Sequence, residues 1–299
     1  MKHLLLTASA LALSLLSTPG FASWDGRVYR AESGPKAGFN EVPFEALRDA
    51  ASASPQVVLG EKHLTPSVQA AQARVILESA HASARVVDVA WEFLDYRDHE
   101  RVAALHSDFL NGRISASQLL EAYFGSKTYE SYVPILESAR ELNADLIPVN
   151  LSREEKAPVV KGGLQAADPS VVPQGFELGD DAYLERFKEA MGGHSSPEQL
   201  SNYFAAQCLT DDVMALHFTA LPKDHHRFLV TGSFHSDFKD GVVKRIKTRS
   251  APEAALTVRF YDASDYTEKE LEAALPSLLV DPAYGQVADF VYFTGEPTP

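Results

Sequence analysis

Short, unbroken runs of Val, Ile and Leu recur along the chain, and most are followed by a stretch whose apolar positions fall at helical spacing. Val57-Val58-Leu59 closes on Gly60, and after Thr65-Pro66 apolar positions recur from Ser67 to His81. This reads as strand, loop and helix, with Thr65 as cap and Pro66 at the first helical position, where a missing amide is tolerated. Val86 to Phe93 and Asp145 to Asn150 are further strands, separated by helical patterns at Asp98 to Leu110, Ser115 to Phe124 and Tyr129 to Leu142. A helix is expected after Leu151-Ser152. Gly162 to Asp180, with four glycines and two prolines, is a loop or lid candidate. Helices follow at Asp181 to Met191 and from Ser196-Pro197-Glu198 to about Leu221. Strands at Arg227 to Gly232 and Ala255 to Tyr261 flank a helix at Gly241 to Thr248. A helix near Thr267 to Leu275 and a final strand at Phe290 to Phe293 complete the pattern. Ser23 to Ala53 is mixed in character, with one short helix from Phe44 to Ala51.

Apolar runs without polar alternation describe strands buried on both faces, so the chain reads as a single α/β domain: a mostly parallel central sheet flanked by helices, with a helical insertion. The expected organisation is a leader over 1–22, a lead-in over 23–54, the α/β domain over 55–265, and a C-terminal extension over 266–299 that packs on it.

In such a sheet, ligands bind beyond the carboxyl ends of the strands. The residues just after each run are Glu61 and His63, then Glu92, then Asn150 and Arg153, and finally His235. Two imidazoles, two carboxylates, an amide and a guanidinium thus share one predicted edge. His63 and His235 both close a Gly-x-x-His segment, in which glycine is expected to let the chain turn sharply off the strand. Glu92 ends the run from Val86 to Trp91, where an ionised carboxylate needs a partner, unless it lies exposed beyond the strand. Asp88, in the same run, is expected to turn to a backbone donor. On the long helix Tyr203, Gln207 and Asp211 recur every four residues and share a stripe, which fits either a site wall or an ordinary solvated face. The remaining histidines, including the adjacent His225-His226, are read as structural or exposed.

Composition narrows the field. Met1 and Lys2 precede an apolar run from Leu4 to Leu16 that is shorter than the ~20 residues of a membrane span. Gly20 and Ala22 around Phe21 suit signal cleavage after Ala22, so the mature chain is expected in the periplasm. Without Lys2, 26 basic residues face 41 acidic ones, a charge of −15 that argues against nucleic acid as a partner. The single cysteine, Cys208, can form no internal disulfide and offers no lipid anchor near the expected cut.

Val57 to His63 (VVLGEKH), Val89 to Phe93 (VAWEF), Tyr132 to Arg140 (YVPILESAR), Leu146 to Arg153 (LIPVNLSR), Ala206 to Ala215 (AQCLTDDVMA) and Val230 to Gly241 (VTGSFHSDFKDG) together resemble the ChaN-type haem-binding proteins. That family sits in a wider superfamily with the erythromycin esterases and the Tiki metalloproteases. The resemblance runs from about Pro55 to Arg249. It implies an α/β fold and haem binding in iron acquisition outside the inner membrane, with Glu61, His63, Glu92, Asn150, Gln207, Asp211 and His235 as the family's polar cluster. An outer-membrane haem receptor or periplasmic haem transporter, and a homodimer, are the partners it suggests. Many members are lipoproteins, and this leader departs from them in lacking the cysteine.

A haem site needs an axial group, a broad apolar slot and cations for the propionates. Tyr203, Tyr132, His235 and His63 are the axial candidates. Arg153, Lys161 and Arg245 could supply charge, and Phe234, Phe238, Met214 and Tyr203 could line the slot. The alternative is a metallohydrolase in which the two histidines and a carboxylate gather a divalent metal or water, with Glu61 or Glu92 as general base.

Overall fold

The computed structural model describes residues 23–33, 38–193, 195–251 and 254–298. The expected leader and His194 lie outside the described residues. The strands are β1 (Val28–Ala31), β2 (Phe39–Val42), β3 (Gln56–Glu61), β4 (Val87–Asp95), β5 (Asp145–Asn150), β6 (His226–Gly232), β7 (Leu256–Asp262), the short hairpin β8 (Val280–Asp281) and β9 (Gly285–Gln286), and β10 (Phe290–Thr294). Eight of them form one sheet in the order β2-β1-β10-β7-β3-β6-β4-β5. The six strands from β10 to β5 run parallel, and β1 and β2 add an antiparallel edge. The lead-in therefore contributes β1 and β2, and the C-terminal extension contributes β10.

Alternate residues of each inner strand face opposite layers, as a two-residue period requires. Val57 and Leu59 of β3, with Val89 and Trp91 of β4, join one cluster. It is covered by α1 (Phe44–Ala53), α2 (Pro66–Ser83), α3 (His99–Leu110), α4 (Ala116–Phe124) and α5 (Val133–Glu141). Tyr129 to Tyr132 belongs to a 3-10 turn over Lys127–Tyr132 rather than to the helix expected there; the α-helix starts at Val133, with Pro134 in its first turn. The intervening residues Val58 and Ala90 face the other layer. In chain order that side carries α6 (Arg153–Gly162), α7 (Asp181–Ala190), α8 (Pro197–Thr219), the single turn α9 (Ser233–Ser236) and α10 (Gly241–Ser250), with α11 (Glu268–Leu279) beside β10. Met214, Ala215 and Phe218 of α8 pack with Val242, Val243 and Ile246 of α10 directly beneath β3, β6 and β4.

Ser152 caps α6 and Ser196 caps α8, each in a reciprocal box with the residue three positions on. The loop candidate is partly anchored, since Val171, Val172 and Phe176 pack against the α6/α8 cluster. No helix among the described residues is long and apolar enough to cross a membrane.

Candidate ligand-binding site

The carboxyl ends of β3, β4 and β6 lie side by side, with Glu61 opposite Gly232 in the β3–β6 ladder. This brings the two Gly-x-x-His segments into contact. Neither Gly60 nor Gly232 has a positive φ, so the expected sharp turn off the strand does not draw on the backbone freedom that glycine alone has. The reason for these glycines is space. A Cβ on Gly60 would meet Ser236 Oγ at 2.2 Å, and one on Gly232 would meet His63 Nε2 at 2.6 Å. Each glycine makes room for a side chain of the other segment. Farther on, Gly241 does adopt φ +50°, and a Cβ there would strike the His235 carbonyl oxygen at 2.5 Å.

Two imidazoles, each backed by a carboxylate and a tyrosine, flank a central Glu92. His63 Nδ1 lies 2.8 Å from Glu61 Oε1, and the same carboxylate accepts from the Tyr132 hydroxyl and from Gln69 Nε2 at 2.9 Å. On the other side His235 Nδ1 lies 2.6 Å from Asp211 Oδ1, and Asp211 Oδ2 accepts from the Tyr183 hydroxyl at 2.8 Å. The Gln207 amide sits 3.0 Å from His235 Nδ1, and Arg245 approaches Asp211 to 4.0 Å. Glu92 stands between them, with Oε1 3.3 Å from His235 Nε2 and 3.9 Å from His63 Nε2. Its other oxygen accepts from Thr231 Oγ1 at 2.8 Å and from the Gly232 amide at 2.5 Å.

These contacts set the charges. Burial alone would raise the Glu92 pKa, but the charges of His235 and His63 and the Gly232 amide hold it well below the usual carboxylate range. Burial would likewise lower that of His235, yet Glu92 and Asp211 push it up to about 10, so its imidazole is protonated at neutral pH. His63 shifts upward too: burial opposes the shift, and the Glu61 hydrogen bond and the Glu92 charge outweigh it. Tyr132 and Tyr183 are pushed up by burial and then by the carboxylates they serve.

The polar residues of α8 are not a solvated face. Asp211 is fully buried, and Gln207 reaches the open cleft above the cluster. That cleft, of about 520 Å³, is floored by Glu61, His63 and His235 and walled by Phe187, Phe234, Phe260, Tyr261 and Tyr266, with Lys62 and Arg259 as its cations. His63 is the most open of the cluster's ionisable groups, its side chain 39 % exposed against 11 % for His235.

Other expected members lie elsewhere. Asn150 ends β5 with a buried, unpartnered Oδ1, and neither it nor Tyr203 lines the cleft. Tyr203 packs with the Tyr183, Phe187 and Phe204 cluster. Arg153 and Lys161 are exposed on α6, Arg245 is turned to the Gly241 and Glu177 carbonyls, and Met214 is sealed beneath the sheet. Phe238 packs toward Tyr284 and the α11 cluster. Among the slot residues expected from the sequence, Phe234 alone lines the cleft. Asp88 takes the His225 imidazole at 2.9 Å instead of a backbone donor. His226 is buried between Ser83 and the Ala51 carbonyl, so the His225-His226 pair is structural. Gln69 and Tyr183 were not expected at the site. Gln69 shares the buried face of α2 with Gln72 and Ser79, so its polarity alone did not single it out. Nothing local marked Tyr183.

Among the described residues, no group of three or more His, Cys, Asp or Glu side chains is arranged to hold a metal ion, so this geometry lends the divalent-metal alternative no support.

Comparison with known proteins accords with the fold. A family model described as haem-binding uptake, Tiki superfamily, ChaN matches residues 47–246. The structure of ChaN of Campylobacter jejuni, which binds heme cofacially, is 17% identical and aligns over 89% of this chain and 96% of that one, with a TM-score of 0.63. The type III effector HopBA1 is 15% identical over 92% of this chain and 99% of that one, with a TM-score of 0.47. No curated protein matches the sequence.

Proposed function

The chain belongs to the haem-binding uptake family of ChaN type in the Tiki superfamily, and from that premise we propose that it binds haem in the cleft above β3, β4 and β6 and serves haem or iron uptake in the periplasm. One observation carries the placement. His63 has Nδ1 fixed by Glu61 and lines the open cleft with 39 % of its side chain exposed, while its Nε2, between Gly232 and Glu92, makes no hydrogen bond among the described residues. Metal-binding imidazoles characteristically have their second nitrogen held by a carboxylate in this way. The other axial candidates are less available: the Tyr132 hydroxyl is committed to Glu61, His235 has both nitrogens engaged, and Tyr203 lies off the cleft.

The surroundings fit a tetrapyrrole. The cleft falls within the ~300–1,000 Å³ of small-molecule sites and its walls are aromatic, while its cations Lys62 and Arg259 are paired with Asp265 and Asp237 and would exchange a carboxylate for a propionate. Bound haem would supply an iron centre able to take an imidazole nitrogen. The chain's own groups do the rest: Glu61 and Tyr132 orient His63, while Glu92, Asp211 and Tyr183 keep His235 fixed and charged in the floor. The expected leader supports export, and an outer-membrane haem receptor or a periplasmic haem transporter is the partner this role requires.

The Glu61–His63 pair is also the geometry of a general base, which favours hydrolysis of a bound small molecule as a second reading. Titration of the purified protein with ferric haem separates the two. The expected result is a saturable Soret shift that weakens in His63→Ala. No spectral change at micromolar haem, with ester hydrolysis lost in His63→Ala, overturns the haem reading in favour of the enzyme.

A further inference from the structure

A second ligand-sized cleft, of about 820 Å³, lies along the outer edge of the sheet, between β5, α3 and the last turn of α8. β5 is the terminal strand, so its far edge has no partner strand. Pro148 sits within β5 and removes an amide from that edge, which makes it a poor template for an added strand. The cleft is better built for a compact ligand. Leu110, Ile147, Pro148 and Leu221 give it apolar walls, and three imidazoles line it, those of His99 and His106 on α3 and of His217 on α8.

Two of them, His217 and His106, make no hydrogen bond among the described residues. His217, half-buried on the final turn of α8, stacks on Tyr96 with centroids 4.4 Å apart and planes 22° apart. Among the described residues neither of its ring nitrogens has a hydrogen-bond partner. His106, 5% exposed on α3, has a buried Nε2 with no hydrogen-bond partner among the described residues, a costly arrangement for a group that only fills space. Burial lowers the pKa of both, so near neutrality each keeps a nitrogen lone pair, in contrast to the protonated His235. Arg97 stands exposed on the rim, 3.4 Å from Glu155.

We propose that this edge cleft is a second haem-binding site on the same chain, with His217 as the residue that offers the iron a nitrogen and Arg97 as the cation for a propionate. The proposal rests on the reading of the chain as a haem protein, but it uses none of the residues of the central cleft. α8 then serves two sites, presenting Gln207 and Asp211 to the central cluster and His217 to the edge.

Haemin titration of the full chain, followed by absorbance and electron paramagnetic resonance, tests this in the wild type, His217→Ala, Ala103→Trp and His63→Ala. Ala103 is exposed on the cleft wall, so a tryptophan there fills the edge site without touching an imidazole. The expected result is two haems per wild-type chain and one in either edge variant, with the remaining signal sensitive to His63. One haem per wild-type chain, unchanged by His217→Ala and Ala103→Trp and weakened by His63→Ala, overturns the edge site and leaves the central reading standing. One haem that is lost in both edge variants and kept in His63→Ala supports the edge site and removes the central one. No binding overturns both.

Discussion

His235 ties stability to alkaline pH. Its imidazolium lies 2.6 Å from Asp211 and 3.3 Å from Glu92, and its pKa stands at about 10 against 6.5 for the free side chain. The unfolded chain gives up this proton near pH 6.5 and the folded chain keeps it to about 10. The stabilisation is therefore whole below pH ~6.5 and is lost as pH rises toward 10, by at most ~1.4 kcal/mol per pH unit, or about 5 kcal/mol in all. His63, also shifted upward, acts in the same direction. Cys208, pushed up by burial from 9.0 to about 12, adds its own loss only above pH ~9, so measurements below that isolate the histidines. Asp211→Asn keeps the volume and removes the charge. It leaves the buried imidazolium with Glu92 alone and is expected to cost about 3–5 kcal/mol at pH 6.5, with a shallower alkaline slope thereafter. Urea midpoints at about pH 6.5, 7.5 and 8.5, at constant m, measure both effects. A wild-type midpoint level across that range, or an Asp211→Asn profile parallel to the wild type, refutes the account.

The acid side is governed by another imidazole. His226 is pushed down to about 4 by burial while Nε2 donates to the Ala51 carbonyl at 3.0 Å, so the native state keeps it neutral. That stabilisation is lost as pH falls from 6.5 toward 4, by about 3 kcal/mol, with smaller losses from His106 and His217; a urea midpoint unchanged between pH 6.5 and 4.5 contradicts it. Gly232→Ala is expected to swing the half-exposed His63 ring off Glu61 at a cost of about 1 kcal/mol and to reproduce the weakened haem spectrum of His63→Ala, because the Gly232 backbone (φ −57°, ψ 141°) suits alanine and the collision is with the ring. Gly60→Ala collides with Ser236 Oγ and is expected to cost about 1–3 kcal/mol. Ser236→Ala should relieve that clash, and a double variant no more stable than Gly60→Ala alone would falsify the packing argument.

The parallel strands were legible because burial on both faces imposes uninterrupted apolar runs, and Val57 to Leu59 or Phe290 to Phe293 can form little else in an α/β chain. β1 and β2 were not, since Val28–Ala31 and Phe39–Val42 are only four residues long, with two buried positions in β1 and none in β2, and leave no such run. At the site, Glu61, His63, Glu92 and His235 could be placed from the strand-end rule, and Asp211 from its stripe. The purpose of the two glycines could not, because the atoms they accommodate lie about 170 residues away in the chain. Arg153 shows the limit of the rule: one residue past the cap of α6, it turns to solvent. Sequence position fixes which strand end a residue follows, whereas the side on which it emerges depends on how the next helix packs.

β10 has a consequence for the order in which the molecule can be assembled. It is an interior strand, parallel to β7 on one side and antiparallel to β1 on the other, and β1 reaches the sheet only through it. As the chain is made from its amino end, the first strands to emerge wait for one of the last before they can dock. Contacts of such long sequence separation slow folding and prolong the exposure of unpaired edges. Completion of the sheet is thus a late event in the life of each new chain, set by the arrival of Phe290–Thr294.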